Sequence, residues 1–201
     1  AVGRMLVNVA KQADEMLNKV IEYHDLKSYG SSRNNFALLS EDSDIASDAS
    51  LQNRQNSLAN TIASEKTFLN VTKILLDSYV QEASAGGSRY PKARTDFFNA
   101  FEKGALVFNY LGHGGEDGLS GERIWEKSDG QNLSNQYKYP LFITITCEFS
   151  RFDNPLRPTA GEYTYWNPKG GAIAMITTIR SIGQFSAENF NDALTKNLLS
   201  Y

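Results

Sequence analysis

Apolar residues recur along this chain with two spacings, which predict helices and buried strands in alternation. Residues 9–24 carry Ala13, Leu17, Val20 and Ile21 at three- and four-residue steps, the spacing of an amphipathic helix with one apolar stripe. The other predicted helices cover residues 50–64, 95–103, 161–166 and 190–199.

Glycine and hydroxyl residues mark where some of these elements begin and end. Thr95 is expected to cap the helix over residues 95–103, and Gly104 is expected to end it. Gly86 and Gly87 predict a loop over residues 81–91.

Short continuous apolar runs predict five buried strands. They span residues 34–40, 71–79, 105–111, 140–146 and 172–178. Because these runs are apolar throughout and alternate with helices, we predict an α/β fold with a mostly parallel sheet flanked by helices on both faces. Ligands of such sheets bind outside the carboxyl ends of the strands.

Composition and charge narrow the possible functions. The 201 residues are 41% hydrophobic, which suits one domain with a real core. The formal net charge of -3 gives no reason to expect nucleic acid as a partner. No apolar run approaches the roughly 18 residues of a membrane span, and no signal peptide opens the chain. The single cysteine rules out an internal disulfide and a Cys-rich zinc site.

One histidine and the only cysteine each follow a predicted strand. His113 lies in the run Gly112-His-Gly-Gly115, and Cys147 directly follows the strand predicted over residues 140–146. Neighbouring parallel strands would bring both side chains to one edge, where an imidazole can activate a thiol nucleophile. The glycines allow a sharp turn and close approach of a substrate.

The same residues have a simpler interpretation. Cys147 would then be a small buried hydrophobe, and His113 a surface residue on a glycine-rich turn. Each residue alone favours this interpretation, whereas the two strand-end positions together favour catalysis. The other histidine, His24, is expected to be structural or exposed.

Two segments carry a resemblance to a known family. Asn109–Gly115 (NYLGHGG) and Ile143–Phe149 (ITITCEF) resemble the gingipain family of cysteine peptidases, and Phe36–Leu39 and Gly170–Met175 extend the likeness. The resemblance implies a caspase-like three-layer sandwich with a mostly parallel sheet flanked by helices. It also implies that residues 1–201 are the catalytic domain of a longer multidomain protein, with residues 1–30 forming a helix that leads into the core.

The resemblance also assigns roles to individual residues. It implies a catalytic dyad of His113 and Cys147, with the backbone N–H groups of Gly114 and Cys147 forming an oxyanion hole. An acidic third member is expected in the loop after the first strand. The candidates for it are Glu41, Asp42 and Asp44, and a solvated acidic turn is the alternative for each.

Other polar and aromatic residues near the two strand ends are weaker candidates. Glu116 and Asp117 could hold the imidazole or repel acidic substrates, or simply form a polar loop. The candidate substrate-binding residues are Glu148, Asp153, Arg180 and Trp125. No metal site and no cofactor are predicted, because the acidic loop over residues 41–48 does not complete an EF-hand pattern.

The residues after the cysteine suggest a particular branch of the family. Cys147–Asp153, Ala160–Glu162 and Thr177–Arg180 resemble the branch that acts as the sortase of type IX secretion. This implies cleavage or transpeptidation of proteins that carry C-terminal signal domains, with other secretion proteins as further partners. It also implies the outer face of a bacterial outer membrane as the location. A general surface or secreted peptidase and a catalytically silent binding module remain alternatives.

Overall fold

The computed structural model describes residues 3–200 and contains a five-stranded sheet at its centre. All four strand pairings are parallel. The strands, in the order of the sheet, are β10 (Ala174–Thr177), β9 (Leu141–Ile145), β5 (Val107–Leu111), β1 (Asn35–Ser40) and β2 (Asn70–Leu75). The predicted α/β class and parallel sheet are confirmed.

Helices follow the strands along the chain. They are α1 (Ala10–Tyr23), α2 (Ala49–Glu65), α3 (Pro91–Lys103), α4 (Lys127–Asn132), α5 (Ala160–Trp166) and α6 (Gln184–Leu198). Two small antiparallel sheets complete the fold. One pairs β3 (Glu82–Ser84) with β4 (Gly87–Arg89), and the other joins β6 (Gly114–Gly115), β7 (Gly118–Leu119) and β8 (Trp125–Glu126).

Each face of the central sheet has its own hydrophobic core, so the fold has three layers. In β5, Phe108 packs on the side of α3, whereas Val107 packs on the side of α2 and α6. Successive side chains of a strand point to opposite faces, so strands that are apolar throughout fill both cores. In the first core, Phe101 of α3 stacks on Phe108, and Phe97 packs against Phe108 with its ring tilted.

The boundaries of several elements differ from the prediction. Helix α3 begins at Pro91, which is favoured at the start of a helix, so Thr95 lies inside it and donates to the carbonyl of Pro91. The predicted loop over residues 81–91 contains the β3–β4 hairpin. Helix α6 begins at Gln184, and β2 ends at Leu75.

Helix α1 is amphipathic as predicted, but its apolar stripe faces outward. Leu17, Val20 and Ile21 are exposed, the last at 68% of its surface. The buried residues are Met16 and Lys19. The Nζ atom of Lys19 donates to the carbonyl of Tyr165 at 2.9 Å, so a buried amine, whose pKa burial lowers to about 7, anchors this helix to α5.

Candidate active site

The register of β5 and β9 brings the two predicted catalytic residues to one edge. Leu111 of β5 is paired with Ile145 of β9. His113 and Cys147 each lie two residues beyond this pair, at the carboxyl ends of neighbouring parallel strands. The Gly112 N–H donates to the Ile145 carbonyl at 3.4 Å, so the strand-end loops diverge only after this point.

Two buried carboxyl groups lie beside the imidazole of His113. Its Nε2 atom is 3.8 Å from Oε1 of Glu41 and 3.6 Å from Oδ1 of Asp48. The backbone N–H of His113 also donates to the Glu41 carboxyl group. Since the imidazole itself is 60% exposed, one side of it is held by carboxyl groups and the other is accessible to a substrate.

Burial governs the protonation of Glu41 near neutral pH. Burial, together with the nearby Asp48, raises the pKa of Glu41 to about 8, although the hydrogen bond from the His113 N–H opposes this shift. Glu41 is therefore mostly protonated at pH 7. The shortest contact of Glu41 with His113 is with the backbone N–H. Glu41 therefore fixes the backbone of the turn and does not provide a negative charge for the imidazole.

The other two predicted third members have different surroundings. Asp42 is buried and accepts a hydrogen bond from the Tyr90 hydroxyl at 2.9 Å. Asp44 is exposed, and the charge of Asp42 raises the pKa of Asp44. Neither forms a hydrogen bond or an ion pair with His113, whereas Glu41 contacts both its imidazole and its backbone N–H.

In the described part of the chain, three carboxyl groups also lie close together at the loop that follows β1. Oxygen atoms of Asp42, Asp44 and Glu122 lie within 4.8 Å of one another, close enough to share a metal ion. Burial raises the pKa of Glu122, and the charge of Asp42 adds to that shift. The sequence did not predict this group, because Glu122 is distant along the chain.

The turn after His113 comes close to the strand that carries Cys147. A Cβ atom at Gly114 would lie 2.7 Å from Thr146 Oγ1 and 2.9 Å from the Gly118 carbonyl oxygen. At Gly115 a Cβ would meet nothing within 4 Å. A side chain at position 114 would therefore push apart the ends of β5 and β9. This explains why the first residue after His113 is a glycine.

The backbone turns sharply after Cys147. Glu148 has a φ of 53°, in the left-handed region that non-glycine residues rarely adopt. The Sγ atom of Cys147 is 3.9 Å from the carbonyl oxygen of Ile182, in the segment between β10 and α6. Cys147 is partly exposed and unpaired as a free thiol.

A cleft of about 860 Å³ opens beside His113. Its wall includes the turn over residues 113–118 and the polar residues Arg123, Glu126 and Lys127. A second cleft of about 660 Å³ lies between α2 and α6 and contains none of the predicted site residues. The first cleft is therefore the one that borders His113.

The weaker substrate-binding candidates make contacts within the chain. Arg180 forms a bidentate ion pair with Asp153, with contacts of 2.9 and 2.5 Å. Glu148 pairs with Arg151 at 3.3 Å. Trp125 lines the cleft beside His113, is only 1% exposed and packs among phenylalanines of the core.

Asp48 is the residue beside His113 that the sequence did not single out. It is the N-cap residue of α2, but its side chain makes no capping hydrogen bond. It is buried and lies near Nε2 of His113 instead. An aspartate before a predicted helix usually indicates a capping side chain. The sequence pattern around Asp48 therefore indicates a cap and not a contact with His113.

Comparisons with known proteins agree with this fold. The description Peptidase family C25 matches residues 1–201, and the chain belongs to this family, the gingipain family of cysteine peptidases. The resemblance inferred from the sequence is confirmed. No curated protein sequence matches the chain.

Solved structures show the same fold at low sequence identity. The complex of the Porphyromonas gingivalis RgpB pro- and mature domains is 16% identical, with a TM-score of 0.75 over 95% of this chain and 44% of that chain. The Arg-specific cysteine proteinase gingipain R (RgpB) is 15% identical, with a TM-score of 0.74 over 95% of this chain and 43% of that chain. A third structure, of a protease, is 18% identical, with a TM-score of 0.71 over 94% of this chain and 38% of that chain.

These likenesses confirm the caspase-like gingipain fold. The chain spans less than half the length of each of these solved chains. Over residues 3–200, no helix is both long enough and apolar enough to cross a membrane.

Proposed function

We propose that this chain is a cysteine endopeptidase with Cys147 as nucleophile and His113 as general base. The observation that carries the proposal is the register of β5 and β9, which puts both residues at equivalent positions beyond Leu111 and Ile145. Membership of a cysteine peptidase family supports it. The exposed imidazole beside a wide cleft leaves room for a peptide.

We assign the acidic third member to Asp48, with Glu41 in a separate role. Asp48 is the nearer of the two carboxyl groups to Nε2 of His113, at 3.6 Å. A carboxylate there stabilises the imidazolium that forms when the ring takes the thiol proton. Glu41, mostly neutral at pH 7, orients the turn through the backbone N–H of His113.

The proposed reaction proceeds through a thioester. His113 takes the proton from Cys147, and the sulfur attacks the scissile carbonyl carbon to give a tetrahedral oxyanion. The backbone N–H groups of Gly114 and Cys147 are the proposed donors to that oxyanion. His113 then gives its proton to the leaving amine, and the C–N bond breaks. Water or another amine releases the acyl group and restores the thiol.

The finer proposal is that the substrates are secreted proteins with C-terminal signal domains. The segment Cys147–Asp153 and the segments that follow it resemble PorU, the gingipain-like sortase of type IX secretion. The corresponding location is the outer face of a bacterial outer membrane, with other secretion proteins as partners. We also propose that the chain is the catalytic part of a longer protein, which fits its short span on the solved relatives.

The peptidase proposal is tested by Cys147→Ala. We expect cleavage of a casein or peptide substrate to fall by several orders of magnitude, because loss of a nucleophile removes most of the rate enhancement. The melting temperature should change little, since Cys147 is only partly buried. Cleavage at the wild-type rate would reject the assignment. An unreactive thiol in an inactive wild-type protein would favour the silent binding module.

The sortase proposal is tested by the fate of the acyl group. The wild-type protein is incubated with a substrate that bears a C-terminal signal domain and with increasing concentrations of a small amine. Mass spectrometry should show the amide product rising with amine concentration. Efficient cleavage that yields only the free acid would reject transfer and favour a general peptidase.

A further inference from the structure

Glu116 is placed to join the turn after His113 to the loop after Cys147. It lies between β6 and β7, and its side chain is only 10% exposed. Its carboxylate is 3.3 Å from Nη1 of Arg151 and 3.5 Å from Nε of Arg157, and it accepts from Asn154 at 3.3 Å. All three partners belong to the loop over residues 148–158. The sequence analysis considered a contact with the imidazole, but the contacts of Glu116 are with this loop.

The backbone of Glu116 strengthens the same connection. Its carbonyl oxygen accepts the Ala160 N–H at 2.8 Å, at the point where α5 begins. Glu116 therefore contacts both the middle and the end of the segment that follows the nucleophile. Its main chain and its side chain act on the same segment, so a substitution of the side chain alone removes the charged part of the connection.

Arg151 carries this connection toward the nucleophile. Its Nη1 atom lies 3.3 Å from Glu116 and 3.3 Å from Glu148, so one guanidinium bridges the two carboxylates. Glu148 is the residue immediately after Cys147, and it has the left-handed φ of 53°. Such a conformation is strained and persists only where surrounding contacts enforce it. The bridge is one of those contacts.

The partly buried position gives these ion pairs more weight than ordinary surface pairs. Exposed pairs contribute little because water and salt screen them. Glu116 is shielded, whereas the neighbouring Asp117 is exposed and pairs with Arg157 and Lys127 at the rim. The ion pairs of Glu116 are thus the more buried contacts between the turn after His113 and the loop over residues 148–158.

We propose that Glu116 is a positioning residue that holds the nucleophile loop, through Arg151, in the conformation that presents Cys147 to His113. This role rests on the proposed peptidase function. Glu116 touches neither the reacting atoms nor the imidazole among its recorded contacts. Its effect reaches the reaction through the backbone of Glu148, so it should change the rate of the chemical step more than substrate binding.

The test compares Glu116→Gln with Arg151→Gln and with the double variant in the intact chain. We expect kcat to fall about 10- to 100-fold in each single variant, the loss typical of a misplaced reacting group, with KM changed by less than about threefold. The double variant should lose no more than the worse single variant, because both substitutions break one connection. Asp192→Asn is the control, since it removes a carboxylate from the Arg54 pair far from the two strand ends.

Hydrogen exchange gives a second measurement that does not depend on activity. Amides of residues 148–158 should exchange faster in Glu116→Gln than in the wild type and in Asp192→Asn. If the wild-type protein is inactive and Glu116→Gln still exchanges faster than the wild type, the peptidase proposal fails while the connection between the two loops is supported. Unchanged exchange, a wild-type kcat in Glu116→Gln, or losses that multiply in the double variant would each overturn the positioning role.

Discussion

The carboxylate of Asp48 lies 3.6 Å from the Nε2 atom of His113, on the buried side of an imidazole that is otherwise exposed. The loop between β1 and α2 carries Asp48, and the loop after β5 carries His113. Since β1 and β5 are neighbouring parallel strands, their carboxyl-end loops meet at one edge of the sheet. The relationship gives the proposed dyad an acidic partner from a third part of the chain.

Asp48→Asn should therefore impair catalysis more than Glu41→Gln. We expect kcat/KM to fall roughly 10- to 100-fold for Asp48→Asn, because the imidazolium loses its compensating charge. Glu41→Gln should cost less, since Glu41 is mostly neutral at pH 7 and glutamine still offers an acceptor to the His113 N–H. Peptide cleavage at pH 7 measures both. A larger loss for Glu41→Gln would reverse the two assignments.

Glu41→Gln should change how stability depends on pH. The carboxyl of Glu41 has a pKa of about 8 in the folded protein, above its ordinary value of 4.5. Between these values the folded state binds more protons than the unfolded state, so the wild type loses stability as pH rises. Glu41→Gln removes this loss and should be more stable than the wild type at pH 8.5, on the order of 4–5 kcal/mol.

Urea unfolding at pH 5 and pH 8.5 measures this difference. The free energies of unfolding of the two proteins should lie closer together at pH 5, where Glu41 is mostly protonated when folded. A constant difference between the proteins at both pH values would show that Glu41 is ionised in the folded state throughout this range.

Gly114→Ala and Gly115→Ala form a matched pair on the turn after His113. An added Cβ at Gly114 would lie 2.7 Å from Thr146 Oγ1, so the strand ends must separate. We expect a loss of about 1–3 kcal/mol in the free energy of unfolding and a large loss of activity. Gly115→Ala should leave the free energy of unfolding nearly unchanged, because nothing lies within 4 Å. Equal destabilisation by both would contradict the close approach.

His113→Ala should slow alkylation of Cys147 by iodoacetamide at pH 7. A neighbouring imidazole accepts the thiol proton and increases the amount of reactive thiolate, so its removal should lower the rate roughly tenfold. The control is His24→Ala, since His24 follows α1 and was expected to have no catalytic role. Equal rates for the two variants from pH 5 to 9 would exclude His113 as the partner of Cys147.

Much of the fold followed from local patterns. The strands predicted over residues 34–40, 105–111 and 140–146 form at 35–40, 107–111 and 141–145, because continuous apolar runs fit a sheet that is buried on both faces. The strand-end positions of His113 and Cys147 followed directly, and the parallel pairing of their strands is confirmed. The smaller errors, such as the early start of α3 at Pro91, arose at element ends, where end signals compete.

The sequence by itself determined the class of fold, the order of its main elements and the two residues proposed for catalysis, because each depends on periodicity and on short motifs. Only the tertiary structure decided which carboxyl groups meet His113, that Lys19 is buried while Ile21 is exposed, and that Glu116 contacts the loop after Cys147. These facts depend on how distant loops fold over one edge of the sheet. No local pattern records that geometry, since an aspartate before a helix looks the same whether it caps the helix or faces a histidine from another strand.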